Sequence, residues 1–435
     1  MTERQRVVIV GGGFAGFTAA RTLSRIARGA VEITLINPTD YFLYLPLLPE
    51  VAAGILDPRK VAIPLSGTCP GVRHLLATVT SVDVDDRRVH CTDAEGGHRD
   101  LRYDRLVIAA GSVNKLLPVP GVAEHAHGFR SIAEALYLRD HLIRQIELAD
   151  ASDDPEERRA RCTFVVVGAG YTGTEVAAQG QLLTLAAHRR RPGLRDRPVR
   201  WILADLAPRI LPELDERLSR TAHHTLSERG IEIRTGTSVA EATSAGVKLS
   251  DGEFVPTRSL IWCVGVRPDP LVESLGLPTE KGRLLVDEYL TVPGHPEIFA
   301  CGDAAAVPDL TRPGEYTAMT AQHAGRQGRR AARNIAASYG RGKREPYRHD
   351  DLGFVVDLGG LKAAANPLGV SLSGLPAKVV TRGYHLLAVP RGRARIAGNW
   401  LLDTVLPRQT VQLDLVHGSQ VPLESCAPGE EVRQS

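Results

Sequence analysis

No window of 18 uncharged apolar residues occurs in this 435-residue chain, so no segment is expected to cross a bilayer as a helix. The N-terminus is charged, and its apolar run over 7–20 is taken up by a glycine turn. It does not read as a signal peptide, and a cytoplasmic location is the expectation. Cysteine is sparse. Cys69, Cys91, Cys162, Cys263, Cys301 and Cys426 are scattered, with no C-x-x-C pair and no C-x4-C after the first glycine turn. That spacing argues against a zinc site or a local redox disulfide, so no metal is expected. Nor does one sign of charge dominate. Lys and Arg number 53 against 50 Asp and Glu, a net +3 that gives no reason to expect a nucleic-acid partner.

What the chain does have is core material. Apolar residues make up 43% and charged residues 24%, a globular balance, and the length allows roughly three domains of about 150 residues. Basic residues come in clusters: Arg189, Arg190 and Arg191; Arg326, Arg329, Arg330 and Arg333; Arg341, Lys343 and Arg344; Arg391, Arg393 and Arg395. Solvated helix faces are one reading of these clusters, and attraction to an anionic membrane surface is the other.

The stretch around which the chain is organised is Val7-Val8-Ile9-Val10 running into Gly11-Gly12-Gly13-Phe14-Ala15-Gly16. An apolar strand, a G-x-G-x-x-G turn and a helix start follow in that order. Gly11 makes the turn, Gly13 lets the backbone approach a pyrophosphate, and Gly16 lets helix and strand pack. The pattern recurs as Phe164-Val165-Val166-Val167 followed by Gly168-Ala169-Gly170-Tyr171-Thr172-Gly173. Two nucleotide-binding folds in one chain follow from the repeat. The next strand of the first copy ends in Asn37, where an acid for the ribose hydroxyls is usual; that of the second ends in Asp205. Asp205 favours NADH over NADPH, although Arg209 nearby could serve a 2′-phosphate.

Other punctuation falls between these turns. The aromatic stretch 41–48, which includes Tyr44, packs in a core or walls a flat apolar ring. A buried strand ends at Ala110 and Gly111, and another ends near Gly265. Pro296 to Ala305 reads as strand, Gly302-Asp303, helix start, with Asp303 either on a ribitol hydroxyl or serving as a helix cap. Short strands are expected over 73–105, helices over 131–149 and 218–229, a charged linker over 151–161, and a long basic helix after Thr317. Strands are expected near Phe354. The apolar segments 375–389 and 399–406 are helix candidates without a clean polar face. They could pack on the body, pair into a homodimer, or lie on a bilayer. The tail 424–435 reads as disordered.

The fold class expected is α/β with two Rossmann-like domains. The first nucleotide-binding domain, which the resemblance described next makes the FAD domain, occupies 1–120 and returns at 281–345. A linking helix (121–160) and an NAD(H) domain (161–280) interrupt it, and a C-terminal interface or membrane-surface region fills 346–435.

These pieces together resemble the type II NADH dehydrogenases, the non-pumping NADH:quinone oxidoreductases within the two-dinucleotide-binding flavoproteins. The likeness runs from Val7 to about Trp400. Its more specific marks are Tyr41 to Leu48, Trp262 to Pro268, and Ala321-Gln322-His323-Ala324 with Gln327-Gly328. The resemblance implies that Gly11, Gly13, Phe14, Ala15, Gly16, Asn37, Tyr44, Ala110, Gly111, Gly302, Asp303 and Gln322 hold FAD. It implies that Gly168, Gly170, Gly173, Glu175, Asp205 and Gly265 hold NADH, with Glu175 and Gln322 in catalytic roles and Gln322 beside a quinone. Arg326 stands where the family often has a glutamine. The implied activity passes a hydride from NADH to FAD and two electrons on to a quinone, at the inner face of the cell membrane as a peripheral protein. The alternatives are a soluble NAD(P)H:acceptor reductase, a sulfide:quinone oxidoreductase using Cys162 and Cys301, and a flavin- and NADH-binding redox sensor.

Overall fold

The computed structural model describes residues 4–27, 29–349 and 352–423. The chain opens with β1 (Gln5–Val10), α1 (Phe14–Ala27) and β2 (Val31–Asn37). A short helix α2 (Leu48–Ala52) follows, then the strands β3 (Val72–Asp83), β4 (Arg88–Asp93), β5 (His98–Arg102) and β6 (Arg105–Ile108). Past β7 (Ala126–His127), the helices α3 (Ile132–Ala151) and α4 (Pro155–Arg161) lead to β8 (Thr163–Val167) and α5 (Tyr171–His188). β9 (Arg200–Asp205), α6 (Glu216–Glu228), β10 (Ile231–Thr235) and β11 (Leu260–Trp262) complete that unit. β12 (Thr291–Val292), β13 (His295–Ala300) and α7 (Ala321–Ser338) come next. The last elements are β14 (Val355–Asp357), β15 (Ala363–Ala365), β16 (Leu372–Ser373), α8 (Gly374–Ala388) and α9 (Arg393–Val405).

Two sheets carry the glycine turns. The first is eight-stranded in the order β12-β13-β6-β1-β2-β3-β4-β5, and the second is five-stranded in the order β7-β11-β8-β9-β10. In each, the strand before the turn lies between two parallel neighbours: β1 between β2 and β6, β8 between β9 and β11. Strands covered on both faces read as continuous β-branched runs, which is why Val7 to Val10 and Phe164 to Val167 are wholly apolar and buried. β13 pairs in parallel with β6, in register Ile298 to Leu106. The chain therefore completes the first sheet only after building the second, in agreement with the interrupted α/β fold expected.

Several local expectations are corrected. Residues 151–161 are not a plain linker. Asp154 caps Glu156 N, Pro155 opens α4, and Glu157 pairs with Arg161 and Arg258. Gly302-Asp303 does not open a long helix but a single tight turn, Gly302–Ala304. The long basic helix begins at Ala321, where Thr320 accepts a hydrogen bond from His323 N. The strands over 73–105 include one of twelve residues, β3, with a register shift between Val79 and Ser81. The second C-terminal helix starts at Arg393, earlier than its apolar run, because Gly392 in the left-handed region sets its first turn. The tail 424–435 lies outside the described residues.

α7 lies against α1. A Cβ on Gly328 would overlap the carbonyl oxygen of Ala15, so only glycine allows this approach. The ring of Phe17 stacks on Phe42, 4.5 Å between centroids, and Phe14 meets Phe42 edge-on at 4.9 Å. These contacts fix the start of α1 relative to the 41–48 loop.

Candidate active site

The two glycine turns are built alike. Gly11 and Gly168 have φ of +95° and +99°, and a Cβ on either would run into a carbonyl, of Ala109 and Cys263 respectively. A Cβ on Gly16 or Gly173 would overlap the carbonyl of Gly11 or Gly168. Around the middle glycines, Gly13 and Gly170, nothing lies within 4 Å of that position. Each turn thus has an open side at the start of a helix, where free N–H groups suit a pyrophosphate. The residues ending β2 and β9 occupy equivalent places. Asn37 Oδ1 accepts from Gly12 N at 2.7 Å, and its Nδ2 donates to Thr39 O and Oγ1. Asp205 Oδ2 accepts from Ala169 N at 2.5 Å and its Oδ1 from Ala207 N at 2.7 Å. Both side chains brace their own turn, and an amide suffices where only a backbone N–H must be met. Arg209 donates to Leu214 O and Pro212 O, which ties its guanidinium to its own loop.

Later segments close the first turn. Gly302 sits against Ala15, and its N–H donates to Gln327 Oε1 at 2.8 Å; Gln327 Nε2 donates to Thr317 Oγ1. Asp303 accepts from Ser112 Oγ at 2.6 Å. Ser112 follows Ala110 and Gly111, whose Cβ position is open. Gln322, on the first turn of α7, donates from Nε2 to Gly353 O at 2.9 Å, while its buried Oε1 has no hydrogen-bond partner among the described residues. A buried orphaned acceptor on the helix that packs against α1 fits a ligand carrying N–H or O–H groups. Gly265 lies just past β11, and its carbonyl accepts from Lys115 N.

A cluster of ionisable groups is buried where the sheets meet the C-terminal region. Glu175, just past the first turn of α5, accepts from Asp357 N at 2.8 Å through Oε1. Burial holds its carboxyl well above the usual range, and the neighbouring Asp357 and Glu50 push the same way. Asp357 is the hub. It pairs with Lys378 of α8 and accepts from Gly359 N at 2.7 Å and Gln179 Nε2 at 3.2 Å. Glu50 of α2 accepts from Trp400 Nε1 at 2.5 Å, and burial followed by Asp357 raises its pKa to about 7. Tyr44 packs against Phe14 and hydrogen-bonds His385 Nδ1 at 3.1 Å; burial lowers the His385 pKa to about 4. The 41–48 loop is therefore core and also a contact with α8. Arg326 faces His349, 2.9 Å from Nη1 to Nδ1.

The structure brings Gly11 to Gly16, Ala110, Gly111, Gly302 and Asp303 together around one turn, and Gly168 to Gly173 with Asp205 around the other. Glu50, Asp357, Lys378 and Trp400 were missed. A signal existed for two of them: a lone acid in Leu47-Leu48-Pro49-Glu50-Val51-Ala52 and a lone lysine in an apolar helix each need a buried partner.

Residues 5–328 match the pyridine nucleotide-disulphide oxidoreductase family. A type II NADH:quinone oxidoreductase of Mycobacterium tuberculosis is 33% identical over 402 residues, which cover 88% of this chain and 84% of that protein. A demethylphylloquinone reductase of Synechocystis is 32% identical over 413 residues, 92% of this chain and 97% of that one. Among solved structures, Plasmodium falciparum NDH2 in complex with NADH superposes with a TM-score of 0.85 over 94% of this chain and 100% of that one; at 18% identity it shows the fold. The duplicated turns, the late strand that completes the first sheet and this degree of identity place the chain among the type II NADH:quinone oxidoreductases, FAD-dependent members of the pyridine nucleotide-disulphide oxidoreductase family.

Proposed function

We propose that the turn Gly11–Gly16, closed by Gly302, Asp303 and Gln322, holds FAD, that the turn Gly168–Gly173 with Asp205 holds NADH, and that Gln322 and Glu175 serve the reduction of a quinone. When bound, FAD supplies the two-electron store between NADH and quinone. The chain's own residues position and protonate. Asp303, oriented by Ser112, keeps free lone pairs for a ribitol hydroxyl. Asp205 keeps lone pairs for ribose hydroxyls, and Arg209, bonded to its own loop, leaves no guanidinium beside it for a 2′-phosphate. Burial holds the Glu175 carboxyl well above the usual range, which favours its protonated form. Its Oε1 takes the Asp357 N–H, so Oε2 carries the proton a quinone needs. The observation that carries this reading is the orphaned, buried Gln322 Oε1 on the helix that packs against the first glycine turn.

Membrane contact belongs to the same proposal. No helix among the described residues is long and apolar enough to cross a bilayer. Yet α8 and α9 turn Leu375, Val379, Leu387, Leu401, Leu402 and Val405 outward, with Leu387 76% exposed. Faces of this kind suit an interfacial position on the inner leaflet, where a lipid-soluble quinone is met; pairing of two copies is the competing use. The cysteine-based alternative lacks support. Cys162 and Cys301 are buried, and burial pushes their thiols to about 11 and about 12.

Stopped-flow absorbance of the yellow holoprotein tests the reading. NADH bleaches the flavin, NADPH does so more slowly, and a quinone restores the colour. Bleaching with no restoration by any quinone overturns it.

A further inference from the structure

Four arginines converge on one pocket that borders the first glycine turn at Phe14. The pocket, about 390 Å³, lies between α1, α7 and the end of α8, and Arg21 and Arg25 face Arg329 and Arg333 across it. Thr18 and Thr22 add hydroxyls, and Phe17 and Pro390 supply apolar wall. Arg21 lies with its guanidinium 6.0 Å from the Phe17 ring centroid, and its Nε is buried without a hydrogen-bond partner. No acidic residue lines this pocket among the described residues, and no carboxylate there pairs with Arg21, Arg329 or Arg333. Burial, then Arg25 one turn along α1 and Arg329 across the pocket, lower the pKa of Arg21. Like charges gathered at one pocket favour an anion that joins them.

We propose that this pocket binds the phosphate of an anionic phospholipid headgroup and thereby sets how the protein sits on the bilayer. The inference rests on the membrane reading above and adds a specific site to it. Placement selects a lipid as the source of the phosphate. The pocket wall is Ala388 and Pro390, directly after the exposed Leu387 of α8. On the other side of the α8–α9 connection a second cleft gathers Arg391, Arg395, Arg59 and Lys60. Basic pockets thus flank the exposed apolar helices, the arrangement in which headgroups meet arginine while acyl chains meet leucine. A guanidinium is also suited to phosphate by its planar fork of donors.

The test is co-flotation of the full-length holoenzyme with phosphatidylcholine vesicles that do or do not contain phosphatidylglycerol. Arg329→Gln/Arg333→Gln is compared with the charge-matched pair Arg217→Gln/Lys248→Gln, exposed on the second sheet's side of the molecule. The proposal expects the first pair to weaken partitioning onto phosphatidylglycerol vesicles by about 30-fold and the second pair to leave it nearly unchanged, with turnover of a water-soluble quinone equal in all three proteins. Equal loss in both pairs, or no loss in either, overturns the headgroup site. A free-anion site, which also overturns it, shows as inorganic phosphate raising the unfolding temperature of the wild type but not of R329Q/R333Q while vesicle binding is the same in both. Leu387→Gln/Leu402→Gln separates the two readings. If that variant alone loses binding to both vesicle types, membrane contact stands and the phosphate site falls; if the wild type floats with neither, both fall.

Discussion

Glu50 shows how one residue carries a pH dependence for the whole molecule. Unfolded, its carboxyl titrates near 4.5; folded, burial and Asp357 place it at about 7. Between those values the folded form keeps a proton that the unfolded form has lost. Stability therefore falls as pH rises from about 4.5 to about 7, and the penalty then stays constant. Glu175, also raised, adds in the same direction. Glu50→Gln keeps an acceptor for Trp400 Nε1 and removes the titration. The variant should gain on the wild type as pH rises, by up to about 3 kcal/mol above about pH 7, in unfolding curves taken across that range. Curves that stay parallel count against the buried cluster. Glu175→Gln addresses chemistry instead. Without a proton at Oε2, quinone turnover should drop on the order of 100-fold and lose its alkaline limb, while the rate of flavin bleaching by NADH holds. Equal losses in both half-reactions would mean that Glu175 serves nicotinamide binding and not proton delivery.

At the scale of elements, α1 and α7 are the pair on which the first cradle depends. Gly328→Ala would place a methyl on the Ala15 carbonyl and force the helices apart. A loss of about 3 kcal/mol is expected, together with flavin lost on desalting, because Gln327 on the same turn holds Gly302. Retention of full flavin content would show that the close approach is incidental. Ser131→Ala is the contrasting change. It removes the capping box of α3, in which Ser131 Oγ accepts from Glu134 N and Glu134 accepts from Ser131 N. It should cost about 1 kcal/mol in urea unfolding and leave turnover intact. These elements also mark what was legible beforehand. The two strand-turn-helix units were readable because local chemistry dictates them: β-branched runs, then glycines where a Cβ cannot fit. The cap at Asp154 and the left-handed start at Gly392 rest on single-residue turn chemistry, which the charged run 151–161 and the apolar run 399–406 mask. That the buried acids and Lys378 form one cluster was illegible for another reason. Glu50, Glu175, Asp357 and Lys378 come from four distant stretches, and only tertiary packing makes them neighbours.

At the scale of the whole molecule, the proposed flavin cradle has no single owner in the sequence. Residues 11–16, 110–111, 302–303 and 322–328 come from separate passages of the chain, and the second sheet is inserted between the second and third of them. α3 and the C-terminal segment also tie the parts together: Asp140 accepts from Leu413 N and Asp414 N, and Asn399 of α9 donates to Ile55 O. A ligand that binds only when all four passages are in place stabilises all of them at once. Protein stripped of FAD should therefore unfold at a lower temperature than the holoprotein, and added FAD at about 1,000 times its Kd should return about 4 kcal/mol. NADH added alone to the stripped protein draws on the second turn, whose parts are contiguous from Gly168 to Asp205, so it should shift the transition without restoring it. Calorimetry of the three samples decides the matter. Equal transitions with and without FAD would mean that the first cradle forms independently of its ligand and that the link between cofactor and architecture argued from Gly302, Asp303 and Gln327 does not hold.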